Sequence, residues 1–297
     1  MTGNYKFALS SDSTCDLYAD FIRENDIYFV PLSFNIEKDG EFHPYKDNFQ
    51  TMDEYKDFYN QLRNGGYSRT AMLNLEDHTA HFTKMAEAGV TDAVHFTISY
   101  GLSPTVDVAN QAAADVKAKF PSINVINIES RSATIGQGML VKIALKMRNE
   151  GKTARETADY INKIKFSLQH LIIANDLYYL KRGGRVSGAS AMIGTVLKIK
   201  PFITMNREGK LNVTEKFRGI KKAFSYVIEK IREFGLTDDE HIVIVHTDNE
   251  PEALELQEEI KRAYGIAPEL VMMGPVIGSH VGPGAVACGF LSKTERV

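Results

Sequence analysis

Short apolar, strand-forming stretches alternate with amphipathic helical stretches along nearly the whole chain, and this rhythm admits few folds. The predicted strands are Tyr5–Ser10, Tyr28–Phe34, Asp92–Ile98, Ile123–Ile128, His170–Ala174, Pro201–Met205, Leu211–Lys216, His241–His246 and Leu270–Met273. Parallel neighbours need a long crossover connection, and the intervening helical sequence supplies it. The expected class is therefore α/β with largely parallel sheets. Arg207-Glu-Gly-Lys210 interrupts the rhythm as a turn between two antiparallel strands. Thr51 with Glu54, Asn74 with Asp77 and Thr153 with Glu156 each place a capping side chain three residues before an acid, which marks a helix start. After the helix opened by Thr153 the pattern restarts as strand near His170, which divides the chain into α/β domains at 1–166 and 167–297.

At 297 residues and 43% hydrophobic, the chain can bury two ordinary cores. No apolar run reaches the roughly 18 residues that cross a bilayer; Ala189–Leu197 is stopped by Lys198. Met1–Ser10 carries neither the charged leader nor the long apolar stretch of a signal peptide, so a cytoplasmic protein with no transmembrane segment is expected. Cys15 and Cys288 are too few for a disulfide scaffold or a thiolate metal site and read as inert packing residues. His78 and His81 stand three apart on a predicted helix, a spacing that can hold a metal but more often marks a solvated face, and no metal is expected.

Charge is unevenly spread. Between Lys181 and Lys222 eleven Lys and Arg face two acids, Glu208 and Glu215, so this segment carries +9 and the remainder −12 within a total of −3. No nucleic-acid motif accompanies the basic segment, and the acidic remainder would repel a long polyanion. A phosphate-bearing small molecule or an acidic protein partner suits it better, against the plainer alternative of a solvated face.

The chemistry concentrates in Gly274-Pro-Val-Ile-Gly-Ser-His-Val-Gly-Pro-Gly284, where His280 is the one ionisable side chain in an apolar, glycine-rich run read as a loop. Hydroxyl-rich segments at strand ends join it: Ser10–Asp16, Ser68–Asn74, Ser99–Thr105 and Ile128–Ser132. In α/β sheets such ends are where ligands sit. Ser103 followed by Pro104 is expected to cap a helix running to about Phe120, whose N-terminus attracts carboxylate or phosphate. No Walker loop, dinucleotide fingerprint, zinc-protease motif or nucleophile elbow is present. A pairing of Ser103 with His280 leaves acyl hydrolysis or transfer open as an alternative, although no third, orienting acid is evident.

Six segments in order, Asp12–Leu17, Ile98–Thr105, Ile128–Ser130, Leu180–Ser187, Leu197–Pro201 and Gly274–Gly284, give the chain a resemblance to the DegV family. These are bacterial fatty-acid-binding proteins that serve as the acyl-carrying subunit of fatty acid kinase. The resemblance spans essentially the whole chain. It implies two α/β domains with the ligand buried between them, and a carrier that is not itself an enzyme, needs no cofactor and binds no nucleic acid. Its ATP-binding kinase partner would convert the presented acyl carboxylate to an acyl phosphate in phospholipid metabolism. By the same resemblance the carboxylate falls to Thr70, Ser103 and His280, and Arg185 and Arg218 face the kinase. Members commonly carry Thr-Ser where this chain has Thr70-Ala71, and Gly-Leu-Ser-Gly-Thr where it has Gly101-Leu-Ser-Pro-Thr105. Met192, Ile193, Val196 and Leu197 are candidates for the acyl-chain pocket, or else belong to an ordinary core helix. Burying about 15 methylenes at roughly 0.8 kcal/mol each favours the tail by about 12 kcal/mol before association costs, so the polar trio would fix the head while the tail dominates affinity.

Overall fold

The computed structural model describes residues 5–175, 177–187, 199–238 and 241–297. In the first half, β1 (Ala8–Asp12), α1 (Ala19–Glu24), β2 (Ile27–Val30), β3 (Ser33–Lys38) and β4 (Glu41–Lys46) lead into α2 (Met52–Arg63), β5 (Tyr67–Ala71) and α3 (Leu75–Glu87). Then come β6 (Asp92–Thr97), α4 (Thr105–Lys119), β7 (Asn124–Glu129), α5 (Ile135–Asn149) and α6 (Ala154–Ile164). The second half runs through β8 (Leu168–Ile173), α7 (Tyr178–Gly183), β9 (Val186–Ser187), β10 (Ile199–Met205) and β11 (Leu211–Arg218). It ends with α8 (Ile220–Phe234), β12 (Ile242–His246), α9 (Glu250–Tyr264), β13 (Glu269–Met272), α10 (Pro275–Val281) and β14 (Val286–Leu291).

Three sheets form. The first, ordered β2-β1-β6-β7, is parallel throughout, with α3 and α4 packed on one face. Thr51, Asn74 and Thr153 close reciprocal capping boxes with Glu54, Asp77 and Glu156, as their spacing predicts. The second sheet, β4-β3-β5, is antiparallel and was not anticipated. Its outer strands, Glu-Phe-His-Pro-Tyr-Lys and Tyr-Ser-Arg-Thr-Ala, are mostly solvent-facing and lack the apolar alternation by which a strand is read, and Pro44 is tolerated because β4 is an edge.

The third sheet, ordered β13-β12-β14-β8-β10-β11-β9, is covered by α8 and α9. The α/β class is as expected, but parallel pairing extends less far than the rhythm implies. Only β12 with β13 and β11 with β9 are parallel here. The hairpin at Arg207–Lys210 makes β10 and β11 antiparallel, and β14 enters antiparallel between β12 and β8. A short turn accounts for the β10–β11 pair alone; β14 follows a helix, α10, and still runs antiparallel to both of its neighbours.

The two halves share an interior. α5 touches β1 and β6 of the first sheet as well as β8, β12 and β14 of the third, and its residues from Ile135 to Val141 are all buried. One apolar cluster accordingly runs from Phe7 to Ala287. The hairpin tip adds a polar clasp: Ser99 Oγ donates to the Gly209 carbonyl at 2.8 Å and Arg131 Nη1 to that of Glu208 at 2.8 Å.

β1 runs two residues further than its apolar start indicates, because Ser10, Ser11 and Asp12 are buried and bonded. Ser10 Oγ lies 2.7 Å from His81 Nε2 and 2.8 Å from His95 Nδ1, donating to one ring and accepting from the other. His78 Nε2 stands 3.2 Å from the Thr105 hydroxyl. The helical face of His78 and His81 is thus packed against the sheet rather than solvated, because these ring nitrogens find hydroxyl partners there. Burial holds His78 down at about 4 and His81 at about 3, and pushes His95 well below its ordinary 6.5. The unfolded chain protonates these rings near pH 6.5 while the folded chain keeps them neutral, so stability is lost as pH falls from about 6.5 towards 4. His95→Gln should flatten that loss by up to one proton, about 1.4 kcal/mol per pH unit, in urea unfolding measured across this window. Equal slopes in the two proteins would mean that His95 is already charged in the fold.

Candidate functional site

The glycine-rich run is a helix, not a loop. Pro275 occupies its first turn, where a fixed φ is already helical and no donor is missed, and Gly274 enters extended. The glycines provide clearance. A Cβ at Gly278 would lie 2.4 Å from the Tyr59 hydroxyl. Gly282 leaves the helix at φ +76°, and a Cβ there would meet the Tyr179 ring at 2.1 Å. α10 is consequently wedged between α2 and α7.

Hydrogen bonds fix its rotation. Tyr59 Oη donates to the Met273 carbonyl at 2.8 Å, just before the helix. Ser279 Oγ donates to Pro275 O at 2.7 Å, which leaves it to accept from Ser68 Oγ at 2.6 Å. Two residues along β5, on the same face, the Thr70 hydroxyl meets His280 Nε2 at 2.8 Å. On the other side of the ring, Gly183 of α7 is so close that a Cβ there would sit 2.2 Å from His280 Nδ1. Arg182 locks α7 to β5 by stacking on Tyr67, 4.1 Å from the ring centre. Burial, followed by the charges of Arg185 and Arg182, holds His280 down at about 4, so the imidazole is neutral at pH 7.

These contacts close one wall of a cavity of about 250 Å³. The first half supplies Thr14, Leu32, Thr70, Met72, Ile98 and Ser103, while Leu180, Leu211, Val276, Ile277, His280 and Val281 come from the second. Ser103 does not cap its helix. α4 begins at Thr105 with Pro104 in the cap position, and the Ser103 hydroxyl has no hydrogen-bond partner among the described residues. Capping would turn that hydroxyl inward; one residue before the cap, Ser103 lines the cavity instead. Ala71 and Pro104, the two departures from the family pattern, line it as well.

The three residues expected to hold a carboxylate are therefore brought together, while the two arginines expected to face a partner are separated. Arg185 lines the cavity beside His280, bonded through Nε to the Leu102 carbonyl at 3.4 Å. Arg218 ends β11, exposed, with no ion pair among the described residues, Glu215 included. Met192, Ile193, Val196 and Leu197 lie outside the described residues. Cys15 and Cys288 are buried as expected, and burial pushes the Cys15 thiol up to about 12 and that of Cys288 further still. Sequence reasoning flags the segments Ser68–Asn74 and Leu180–Ser187 but singles out neither Ser68, whose spacing of two from Thr70 is the available signal, nor Gly183.

The cavity is lined by hydroxyls, an imidazole and a guanidinium together with apolar side chains, a combination suited to an amphipathic anion. Comparison with known proteins gives the chain's relatives. The family described as "Uncharacterised protein, DegV family" matches residues 6–293. A DegV domain-containing protein of Clostridium perfringens is 32% identical over 293 residues, which cover 98% of this chain and 99% of that protein. In structure the chain is similar to a DegV lipid binding protein of Thermotoga maritima, with a TM-score of 0.83 and 28% identity over 98% of this chain and 100% of that one. It is also similar to a fatty acid binding DegV family protein of Streptococcus agalactiae, with a TM-score of 0.79 and 28% identity over 97% and 99% of the two chains. On the extent of these matches, the chain belongs to the DegV family.

Proposed function

We propose that this protein binds a long-chain fatty acid in the cavity between its halves, divided at 166/167, and presents the carboxylate to an ATP-dependent kinase partner in the cytoplasm. The observation that carries the reading is that Thr70, Ser103 and His280 line one mainly apolar cavity, with Thr70 bonded to His280. Buried carboxylates need donors to replace lost hydration; the Ser103 hydroxyl offers one, and the Thr70 hydroxyl offers another when His280 Nε2–H donates to its oxygen and turns its hydrogen outward. Arg185, which lines the same cavity and whose charge acts on His280, adds a positive charge to the head group's surroundings. Hydrolase chemistry is less well supported. His280 Nε2 is engaged by Thr70 rather than a serine, and Gly183 crowds the Nδ1 edge where an orienting acid would stand.

Arg218 suits a different task. It is exposed together with Lys216, Lys221 and Lys222, and the last two sit in the first turn of α8, where positive charge opposes the helix dipole. Such a cluster costs the fold a little and offers a partner an electrostatic landing surface.

A long-chain fatty acid should co-purify at near one per chain, read by mass spectrometry of extracted lipid; only traces after gentle purification would count against the reading. Thr70→Ala, Ser103→Ala and His280→Ala should each weaken head placement by roughly 1.5 to 3 kcal/mol, well below the tail contribution, so lipid stays bound while phosphorylation by a cognate kinase drops. If all three variants were phosphorylated like wild type, the head-group assignment would fail. Arg218→Ala should keep its lipid and melting temperature yet form much less acyl phosphate with kinase and ATP. Unchanged phosphorylation would make Arg218 an ordinary surface residue, and lost lipid would move it into the cavity.

A further inference from the structure

The guanidinium of Arg182 is held by ring faces. Its Cζ lies 4.1 Å from the ring centre of Tyr67, 5.1 Å from that of Tyr179 and 5.2 Å from that of Tyr178, and its buried Nη2 has no hydrogen-bond partner among the described residues. Tyr67 carries a second guanidinium, that of Arg69, at 4.7 Å. Arg185, three residues further along, donates to the carbonyls of Leu102 and Gly183. Among the described residues Arg69, Arg182 and Arg185 form no ion pair, unlike Arg23, Arg63, Arg131, Arg155, Arg207 and Arg262.

Carbonyls and ring faces anchor a cation without cancelling its charge, as a carboxylate would. Two guanidiniums on one ring also repel each other, a cost that a nearby anion relieves. The surplus charge is felt in the His280 cavity. Arg182 precedes Gly183, where a Cβ would sit 2.2 Å from His280 Nδ1, and the charges acting on that imidazole are those of Arg185 and Arg182, with no carboxylate opposing them. We propose that Arg182 is a specificity-determining residue of this cavity: held without a counter-ion among three tyrosines, it favours an anionic head group over an uncharged one on the same tail. It acts through space, so it discriminates by head-group charge and leaves the tail's contribution alone. The identity of the ligand rests on the fatty-acid reading; the charge does not. A clamp that merely held α7 against β5 would treat both head groups alike.

Equilibrium dialysis against radiolabelled palmitate and 1-hexadecanol measures the preference in the wild-type protein, in Arg182→Met, whose side chain still packs among aromatic rings, and in Arg182→Lys, which keeps the charge. The wild type should prefer palmitate. Arg182→Met should lose about tenfold in palmitate affinity with hexadecanol changed by less than about twofold, and Arg182→Lys should retain most of the preference. Nuclear magnetic resonance of the His280 imidazole, assigned with His280→Gln and followed from about pH 8 to about pH 5, reads the same charge without any fatty acid: protonation should begin at higher pH in Arg182→Met. Equal losses for acid and alcohol make Arg182 a clamp and overturn the proposal, as does an imidazole that titrates in Arg182→Met as it does in the wild type. Equal affinity of the wild type for both ligands overturns it even if Arg182→Met fails to fold. If the wild type binds neither ligand, the fatty-acid reading falls, while earlier protonation of His280 in Arg182→Met still supports an anion-selecting charge at the cavity.

Discussion

The carboxylate of Asp12 has no counter-ion among the described residues, and much of the molecule is arranged around it. It accepts from Thr14 N at 3.0 Å, Thr14 Oγ1 at 2.5 Å, Gln137 Nε2 at 2.8 Å and Ile98 N at 3.1 Å. Those donors come from the turn after β1, from α5 and from the residue after β6. One fully buried group thereby sets where two strand ends and the central helix meet. Burial raises its pKa and the four bonds pull it back, which is the balance expected of a structural acid. Thr14 and Ile98, held by it, both line the His280 cavity. Asp12 does not line that cavity, yet the wall depends on it.

Much of the fold is legible in the sequence because hydrophobic periodicity and caps report on local burial. Thr51, Asn74 and Thr153 open helices where their spacing says, and each of the nine predicted strands overlaps an observed one. Pairing direction in the third sheet is legible only at the β10–β11 hairpin. β14 is a buried run, Val-Ala-Cys-Gly-Phe-Leu, and nothing in those residues says that it slots between β12 and β8. Polar strands such as β5 are invisible to periodicity, although β5 carries Ser68 and Thr70 and so builds part of the site.

The site is legible in its residue types and less so in its geometry. Thr70, Ser103 and His280 come from family resemblance and lie around one cavity, 210 residues separating the bonded pair. Their relative placement follows from the packing of α10 on α2, β5 and α7, a tertiary fact with no local signature. His78 and His81 illustrate the converse. Helical spacing cannot say whether a histidine pair faces water or a serine on a buried strand, because polar partners of equal quality exist in both places.

Gly183 touches the imidazole with nothing more than its α-carbon, and that absence is a component of the site. A single methyl group at this point would overlap the ring of His280 by more than an ångström of ordinary contact distance. The cavity is thus shaped partly by subtraction, and its vulnerability is asymmetric: enlarging a residue that makes no hydrogen bond to any substrate disturbs the imidazole more directly than trimming many that line the wall. Alanine scanning finds what a side chain contributes. Here, alanine is itself the larger residue, and it would probe occupied space rather than a lost contact.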